Sequence, residues 1–371
     1  MAREAVVVKV GGSLLRNSKS YLEAATHIVE MRESRDKRLI VVVSAARGVT
    51  DLLLQAARGS YDAYIEVDRL YKEICREVCS TTTMRRLEEE LLELERAVRL
   101  GDPDSPALTD YILSFGERLS KMIMREVLEA QGLKVFGVDS RDVIVTNERH
   151  GDASIDYELT RPRVEKMYRA AIESEAIPIL EGFIGSTPHG RVTTLGRGGS
   201  DYTATAIASI LEADAELVTD VDGVMSADPR LVPTARVVDS LSYVEAFEAS
   251  LNGVKRMNPK ALEPPIKVSP IEIRVRSWES KGTTISNRSL RYGFKIVALP
   301  SANRPLIALV GELGDKTKEV LQVLEVIKEA GADVESLELP LGRPVLKIQI
   351  AKKDVNLILR RLHDELLGGR R

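Results

Sequence analysis

The chain alternates between short β-branched apolar runs and longer amphipathic stretches, the pattern of parallel strands joined by helical crossovers. The clearest strand candidates are residues 6–10, 39–44, 134–138, 177–181 and 215–219. Each is followed by a Gly, Ser or Asp cluster, so the loops at the strand C-termini are expected to gather at one sheet edge, where α/β folds carry their function. Residues 61–100 are long-period and highly charged and predict an inserted helical hairpin. A heptad register persists there for only about two turns, so the hairpin packs on its neighbours rather than forming a coiled coil. The stretch 101–106, with two prolines and two aspartates, breaks the helix, and a new one is expected from near Thr109.

A second boundary falls near residues 284–292, after a strand at 271–276. Strands at 294–299 and 306–311, a helix at 317–330, strands at 333–339 and 345–351 and a helix at 355–366 follow. This β-β-α-β-β-α run is long enough for a small four-stranded α+β unit of ferredoxin-like type.

At 371 residues and 41.0 kDa the chain exceeds one ordinary core, which favours two domains or one large α/β domain with an appendage. The 53 Lys and Arg nearly balance 56 Asp and Glu, leaving a net charge of -3 and no electrostatic footprint for nucleic acid or anionic lipid. Apolar runs fall far short of the ~20 residues that span a bilayer. The first residues enter a strand pattern without the basic and apolar regions of a signal peptide, so a cytoplasmic location is expected. Cys75 and Cys79, four apart in a helical pattern, give neither a disulfide framework nor a four-ligand zinc site.

Four clusters carry candidate chemistry. The first strand ends in Lys9, Gly11, Gly12 and Ser13: glycines admit phosphate oxygens to backbone N–H groups, and a lysine neutralises a transferred phosphoryl group. It is not a P-loop, which needs the lysine after the glycines. Gly196-Arg197-Gly198-Gly199-Ser200-Asp201 is more specific. There Ser200 and Asp201 are expected to cap a helix over 202–210, converging orphan N–H donors, a guanidinium and a carboxylate on an anion site. Arg197 suits a two-pronged grip on a carboxylate, and Asp201 suits holding a lysine or a metal-bound water. The third cluster runs from Thr219 and Asp220 through Met225 to Arg230, and the fourth presents Lys255 ahead of Asn258. Taken alone, the third reads as a turn with a solvated arginine and Lys255 as a surface cation, but the third is also one more polar cluster at a strand end, where Thr219, Asp220 and Arg230 could hold a nucleotide.

In this order the four clusters resemble the amino-acid kinase superfamily and, within it, the aspartate kinases. Val43-Ser44-Ala45-Ala46-Arg47-Gly48-Val49-Thr50, Ser114-Phe115-Gly116-Glu117 and Glu181-Gly182-Phe183-Ile184-Gly185 reinforce the likeness, which covers residues 5–286. The resemblance implies an α/β fold: a three-layer αβα sandwich on a mainly parallel sheet, plus a small C-terminal α+β ACT-like domain. Its expected bounds are a catalytic domain at 1–290, with a substrate lobe at 1–213 and an ATP lobe at 214–290, and an ACT-like domain at 291–371. The implied reaction is ATP-dependent phosphorylation of the L-aspartate side chain, opening the route to lysine, threonine and methionine.

Carried over by position, the resemblance makes Lys9, Asp201 and Lys255 catalytic. Lys9, Gly11, Gly12, Ser13, Thr219, Asp220, Met225, Arg230 and Lys255 would hold ATP with Mg2+. Ser44, Thr50, Glu117, Arg197, Gly198, Gly199 and Ser200 would hold aspartate, Glu117 facing its ammonium and Arg197 a carboxylate. No residue set is assigned as a metal site of the protein itself. Val10 and Ser13 replace the usual Phe and Thr and preserve the chemistry. Met225 stands where an aromatic residue is common and Asn258 where a histidine is usual, so nucleotide contacts are expected to be built differently. Related enzymes carry two ACT modules and this chain has room for one, which implies weak or absent feedback by lysine or threonine and a homodimer through the ACT-like domain. Two other readings stand beside this: a kinase of another small amino acid or carboxylate, and a catalytically silent amino-acid-binding regulator. Glu117 with Arg197 weighs against the first, and Lys9 with Asp201 and Lys255 against the second.

Overall fold

A computed structural model describes residues 4–34, 37–254, 258–300, 305–351 and 355–368. Two compact units are present: Met1–Asp220 with Glu263–Ile271, and Val221–Leu262 with Glu272–Arg371.

The first unit is built on β1 (Ala5–Val10), β2 (Arg38–Val43), β3 (Val135–Gly137), β4 (Ile177–Glu181), a small hairpin of β5 (Ile184–Ser186) and β6 (Val192–Thr194), and β7 (Asp214–Val218). β3, β4, β2, β1 and β7 lie side by side in that order, all parallel. Val6, Val7 and Val8 are consecutive and all buried, which requires helices on both sheet faces and explains why these strands read as continuous apolar runs. Helices Tyr157–Ser174 and Gly199–Ile210 pack together, the latter against β1 and β7, while Ser18–Ser34 and Pro106–Ala130 form a second group with the hairpin helices Tyr61–Val78 and Thr81–Leu100. The register sets Val10 opposite both Val43 and Val218, and Val43 opposite Glu181. Four strand ends are therefore level, and Gly11, Ser44, Gly182 and Thr219 emerge along one edge, as the sequence pattern anticipates.

Helix Pro106–Ala130 starts earlier than the expected Thr109. Ser105 accepts a hydrogen bond from the Leu108 N–H, and Pro106 sits in the first turn, where its missing N–H costs nothing.

In the second unit, β8 (Ser240–Ser242) and β10 (Thr283–Ser286) are parallel, and β9 (Ile273–Arg276) runs antiparallel to β10. The C-terminal part is a four-stranded antiparallel sheet of β11 (Ile296–Ala298), β12 (Leu306–Val310), β13 (Val334–Glu338) and β14 (Val345–Ile350), ordered β11-β12-β14-β13. Helices Lys316–Glu329 and Val355–Leu367 pack on each other. This α+β arrangement is the one the sequence pattern predicts. Its core, including Phe294, Ile307, Leu346 and Leu362, also takes in Ala227 and Val232 from the preceding loop. Among the described residues no helix is long and apolar enough to cross a membrane.

Candidate active site

Lys9 is the one charged position of β1, and its Nζ lies 2.7 Å from Asp201 Oδ1. Asp201 is in the first turn of helix Gly199–Ile210. The expected capping by Ser200 and Asp201 is not what forms. Gly198, in the left-handed region at φ +68°, is the N-cap and offers no side chain, so both residues move into the helix. Asp201 is thereby turned to Lys9 while its charge still favours the helix N-terminus. Beside this pair the backbone is too close for side chains: a Cβ on Gly11 would lie 2.9 Å from Val218 O and 3.3 Å from Lys9 Nζ, and one on Gly12 would overlap Ala45 O. Ser13 Oγ is 3.4 Å from Thr219 Oγ1, and the Thr219 hydroxyl donates to Asp220 Oδ1 at 3.2 Å. The ends of β1 and β7 thus bring Lys9, Gly11, Gly12, Ser13, Thr219 and Asp220 around one turn.

Glu117, on helix Pro106–Ala130, is 3% exposed. Its Oε1 accepts from the Ala45 N–H at 3.1 Å, and its Oε2 has no hydrogen-bond partner among the described residues. Burial pushes the Glu117 carboxyl up to about 8, with the Glu181 carboxylate adding to the effect. A buried acid with one unsatisfied oxygen and a raised pKa is suited to receiving a cation. Ser44 and Ala45 follow β2 directly, and the Ser44 N–H donates to Val10 O at 3.2 Å. Thr50, half-buried, lies in the first turn of helix Val49–Ala57.

Gly182 links the Val43–Thr50 motif to the Gly196–Asp201 cluster. Its N–H donates to Val43 O at 2.9 Å, and a Cβ there would fall 2.5 Å from the Cβ of Ser200. Buried Ser200 is thereby seated against the end of β2. Arg197 and Gly198 are exposed in the loop ahead of the helix.

Two residues, Tyr71 and Glu181, have supporting roles that the sequence does not show. Tyr71, fully buried in the charged hairpin, donates to Gly116 O at 2.6 Å and accepts from Ala46 N–H at 3.2 Å, tying the Glu117 helix to the Ser44 loop. Its sequence signal, an aromatic on an apolar stripe, is that of any core residue. Glu181 at the end of β4 pairs with Lys121 Nζ and accepts from Ser140 N–H at 2.9 Å. A carboxylate closing an otherwise apolar buried strand was the available clue.

In the second unit, Met225 is half-buried and bridges to Val237, and exposed Arg230 pairs with Asp228 at 2.6 Å, which holds its guanidinium further toward the charged form. Asn258 Oδ1 accepts from Lys260 N–H at 2.8 Å and opens the turn Pro259–Leu262. Lys255 lies outside the described residues. The loop bearing Met225 and Arg230 is fastened by Ser226, whose Oγ is 2.8 Å from His363 Nε2 and whose carbonyl accepts from Val297 N–H at 2.8 Å. Among the described residues no group of three or more His, Cys, Asp or Glu is placed to hold a metal ion.

The amino acid kinase family model matches residues 4–277. Lysine-sensitive aspartokinase 3 of Escherichia coli is 32% identical over 343 residues, covering 88% of this chain and 72% of that protein. The chloroplastic bifunctional aspartokinase/homoserine dehydrogenase 1 of Arabidopsis thaliana is 29% identical, and the match covers 98% of this chain but only 43% of that longer protein. In structure, E. coli aspartokinase III in complex with aspartate and ADP superposes with a TM-score of 0.84 at 24% identity, covering 98% of this chain and all of that one.

Proposed function

The chain belongs to the amino acid kinase family, in its aspartokinase branch, and from that premise we propose that it transfers the γ-phosphoryl group of ATP to the side-chain carboxylate of L-aspartate, giving 4-phospho-L-aspartate. The observation that carries this reading is the Lys9–Asp201 pair, 2.7 Å apart beside a glycine turn and a helix N-terminus. A carboxylate is already ionised near pH 7 and attacks in line without a general base, so positioning and charge neutralisation carry the reaction.

Each residue then has a task. Lys9 draws the negative charge of the transferring phosphoryl group, and Asp201 keeps its ammonium aimed. Gly11 and Gly12 leave the backbone open to phosphate oxygens, with Ser13 lining the path. Glu117 takes the substrate ammonium, Arg197 a carboxylate in bidentate fashion, and Ser44, Thr50, Gly198, Gly199 and Ser200 the remaining polar atoms. Thr219, Asp220, Met225, Arg230 and Lys255 form the nucleotide side. ATP enters as its magnesium complex, the ion offsetting phosphate charge, and the oxygen donors Ser13, Thr219 and Asp220 suit a hard cation.

The domain reading is a catalytic domain over residues 1–290, its substrate lobe at 1–213 and ATP lobe at 214–290, and an ACT-like domain over 291–371. β13 is exposed along its whole length and edges the C-terminal sheet, which supports a homodimer formed by pairing of ACT-like domains. With one such module, feedback is weak or absent: lysine or threonine at low millimolar concentration leaves the rate unchanged, and inhibition in that range would refute this. The place of action is the cytoplasm, at the entry to lysine, threonine and methionine synthesis.

The test is ADP release from MgATP with L-aspartate, trapping the acyl phosphate as its hydroxamate, beside glutamate and no-acceptor controls and the Arg197→Ala variant. Aspartate-dependent hydroxamate that is lost in the variant supports the reaction and the carboxylate grip together. ATP binding without turnover of aspartate would move the assignment to another acceptor.

A further inference from the structure

Asp110 and His150 belong to none of the motifs above, yet they meet behind the loop that carries Arg197. Asp110 is completely buried on helix Pro106–Ala130. Its carboxylate is 2.8 Å from His150 Nδ1, accepts from the Gly151 N–H at 3.0 Å on each oxygen, and accepts from the Thr194 hydroxyl at 2.5 Å. Thr194 ends β6, three residues before Arg197. The strip following His150 then presses on the same loop: Ala153 N–H donates to Thr194 O at 2.9 Å. A Cβ on Gly196, which sits at φ +77°, would lie 2.6 Å from Asp152 Oδ1 and 3.2 Å from Gly151 O.

A glycine-rich loop has much conformational freedom, so beyond its own buried Leu195, whose N–H donates to Phe183 O at 2.8 Å, part of what fixes the course of the chain at Arg197 must come from outside the loop. Asp110 supplies it on both sides, through Thr194 at the end of β6 and through the His150–Gly151 corner that abuts Gly196. Asp110 and Glu117 are about two turns apart on one helix, a spacing that returns to the same face.

We propose that the Asp110–His150 pair is a positioning element for Arg197, so that the single helix Pro106–Ala130 sets the spacing between the ammonium end and the carboxylate end of the amino-acid site. This rests on the aspartate kinase reading. His150 donates from Nδ1 to the buried carboxylate, and that bond holds the corner against Gly196. Losing it frees the loop without touching the nucleotide side or the phosphoryl path, so the cost falls on aspartate binding.

The test compares His150→Ala, His150→Asn and Asp110→Asn with the wild type, measuring initial rates against aspartate and against MgATP together with thermal melts. His150→Ala is expected to raise KM for aspartate about tenfold while kcat and KM for ATP stay within about twofold, the size of one lost charge-assisted hydrogen bond. His150→Asn, which keeps an N–H donor near the Nδ1 position, is expected to recover most of that loss. An unchanged aspartate KM in His150→Ala overturns the proposal, and so do equal defects in the Ala and Asn variants. If Asp110→Asn does not fold, the two His150 variants decide. A wild type without aspartate-dependent ADP release would sink the kinase reading and this inference with it, whereas an active wild type with an insensitive His150→Ala sinks this inference alone.

Discussion

Glu117 gives the most quantitative expectation. Its carboxyl is pushed up to about 8 by burial on the helix that faces Ala45, and among the described residues Oε2 has no hydrogen-bond partner. If this group receives the substrate ammonium it must be ionised in the complex, whereas at pH 7 only about a tenth of the free protein carries that charge. Ionising it there costs about 1.4 kcal/mol, so aspartate binds about tenfold more weakly at pH 7 than above the Glu117 pKa. The assay is kcat/KM for aspartate at saturating MgATP from pH 6 to 9, by coupled detection of ADP. Log kcat/KM should climb with a slope near one and level off above about pH 8, while KM for ATP stays flat. Calorimetry at pH 7 in buffers of different ionisation enthalpy should show nearly one proton released per aspartate bound. Glu117→Gln should weaken aspartate and remove the rise. A flat profile together with buffer-independent binding heat would refute the assignment of Glu117 to the ammonium.

The same raised carboxyl has a signature without ligand. A folded-state pKa above the unfolded value means its contribution to stability is fully present below about 4.5 and is lost as pH rises through about 8. The melting temperature of the ligand-free protein should therefore fall across that window, and less so in Glu117→Gln. Lys9→Met removes the charge beside the transferring phosphoryl group and should lower kcat by about a hundredfold or more with the fold intact by circular dichroism. Tyr71→Phe leaves the Gly116 carbonyl and the Ala46 N–H without their buried partner and should cost about 1–3 kcal/mol in urea unfolding, with a raised aspartate KM. His363→Ala unfastens the Met225–Arg230 loop at Ser226 and should raise KM for ATP about fivefold, the worth of one buried hydrogen bond, with KM for aspartate unchanged.

The sequence by itself determined the strand–helix alternation, the α+β C-terminal part and the main clusters of candidate chemistry. These rest on local physics: apolar periodicity marks buried strands, and glycines, charges and hydroxyls just beyond a strand mark an edge where a ligand is held. Local signals also misplaced the details that depend on competing caps. Ser105 and Pro106 started their helix a turn early, and Gly198 displaced Ser200 and Asp201 from the cap of theirs. What only the tertiary structure decided is which residues hold the clusters in place. Tyr71, Asp110 and His150 are separated in sequence from the groups they position, and each looks on its own like an ordinary core or surface residue; Glu181 stands out as a carboxylate closing an apolar strand, but its partners are set only by the fold. Their roles arise from hydrogen bonds between distant segments: Tyr71 to Gly116 and Ala46, Asp110 to Gly151 and Thr194, Glu181 to Ser140. The raised pKa of Glu117 is of the same kind, since it comes from the burial that surrounding helices and strands create and not from its sequence neighbours.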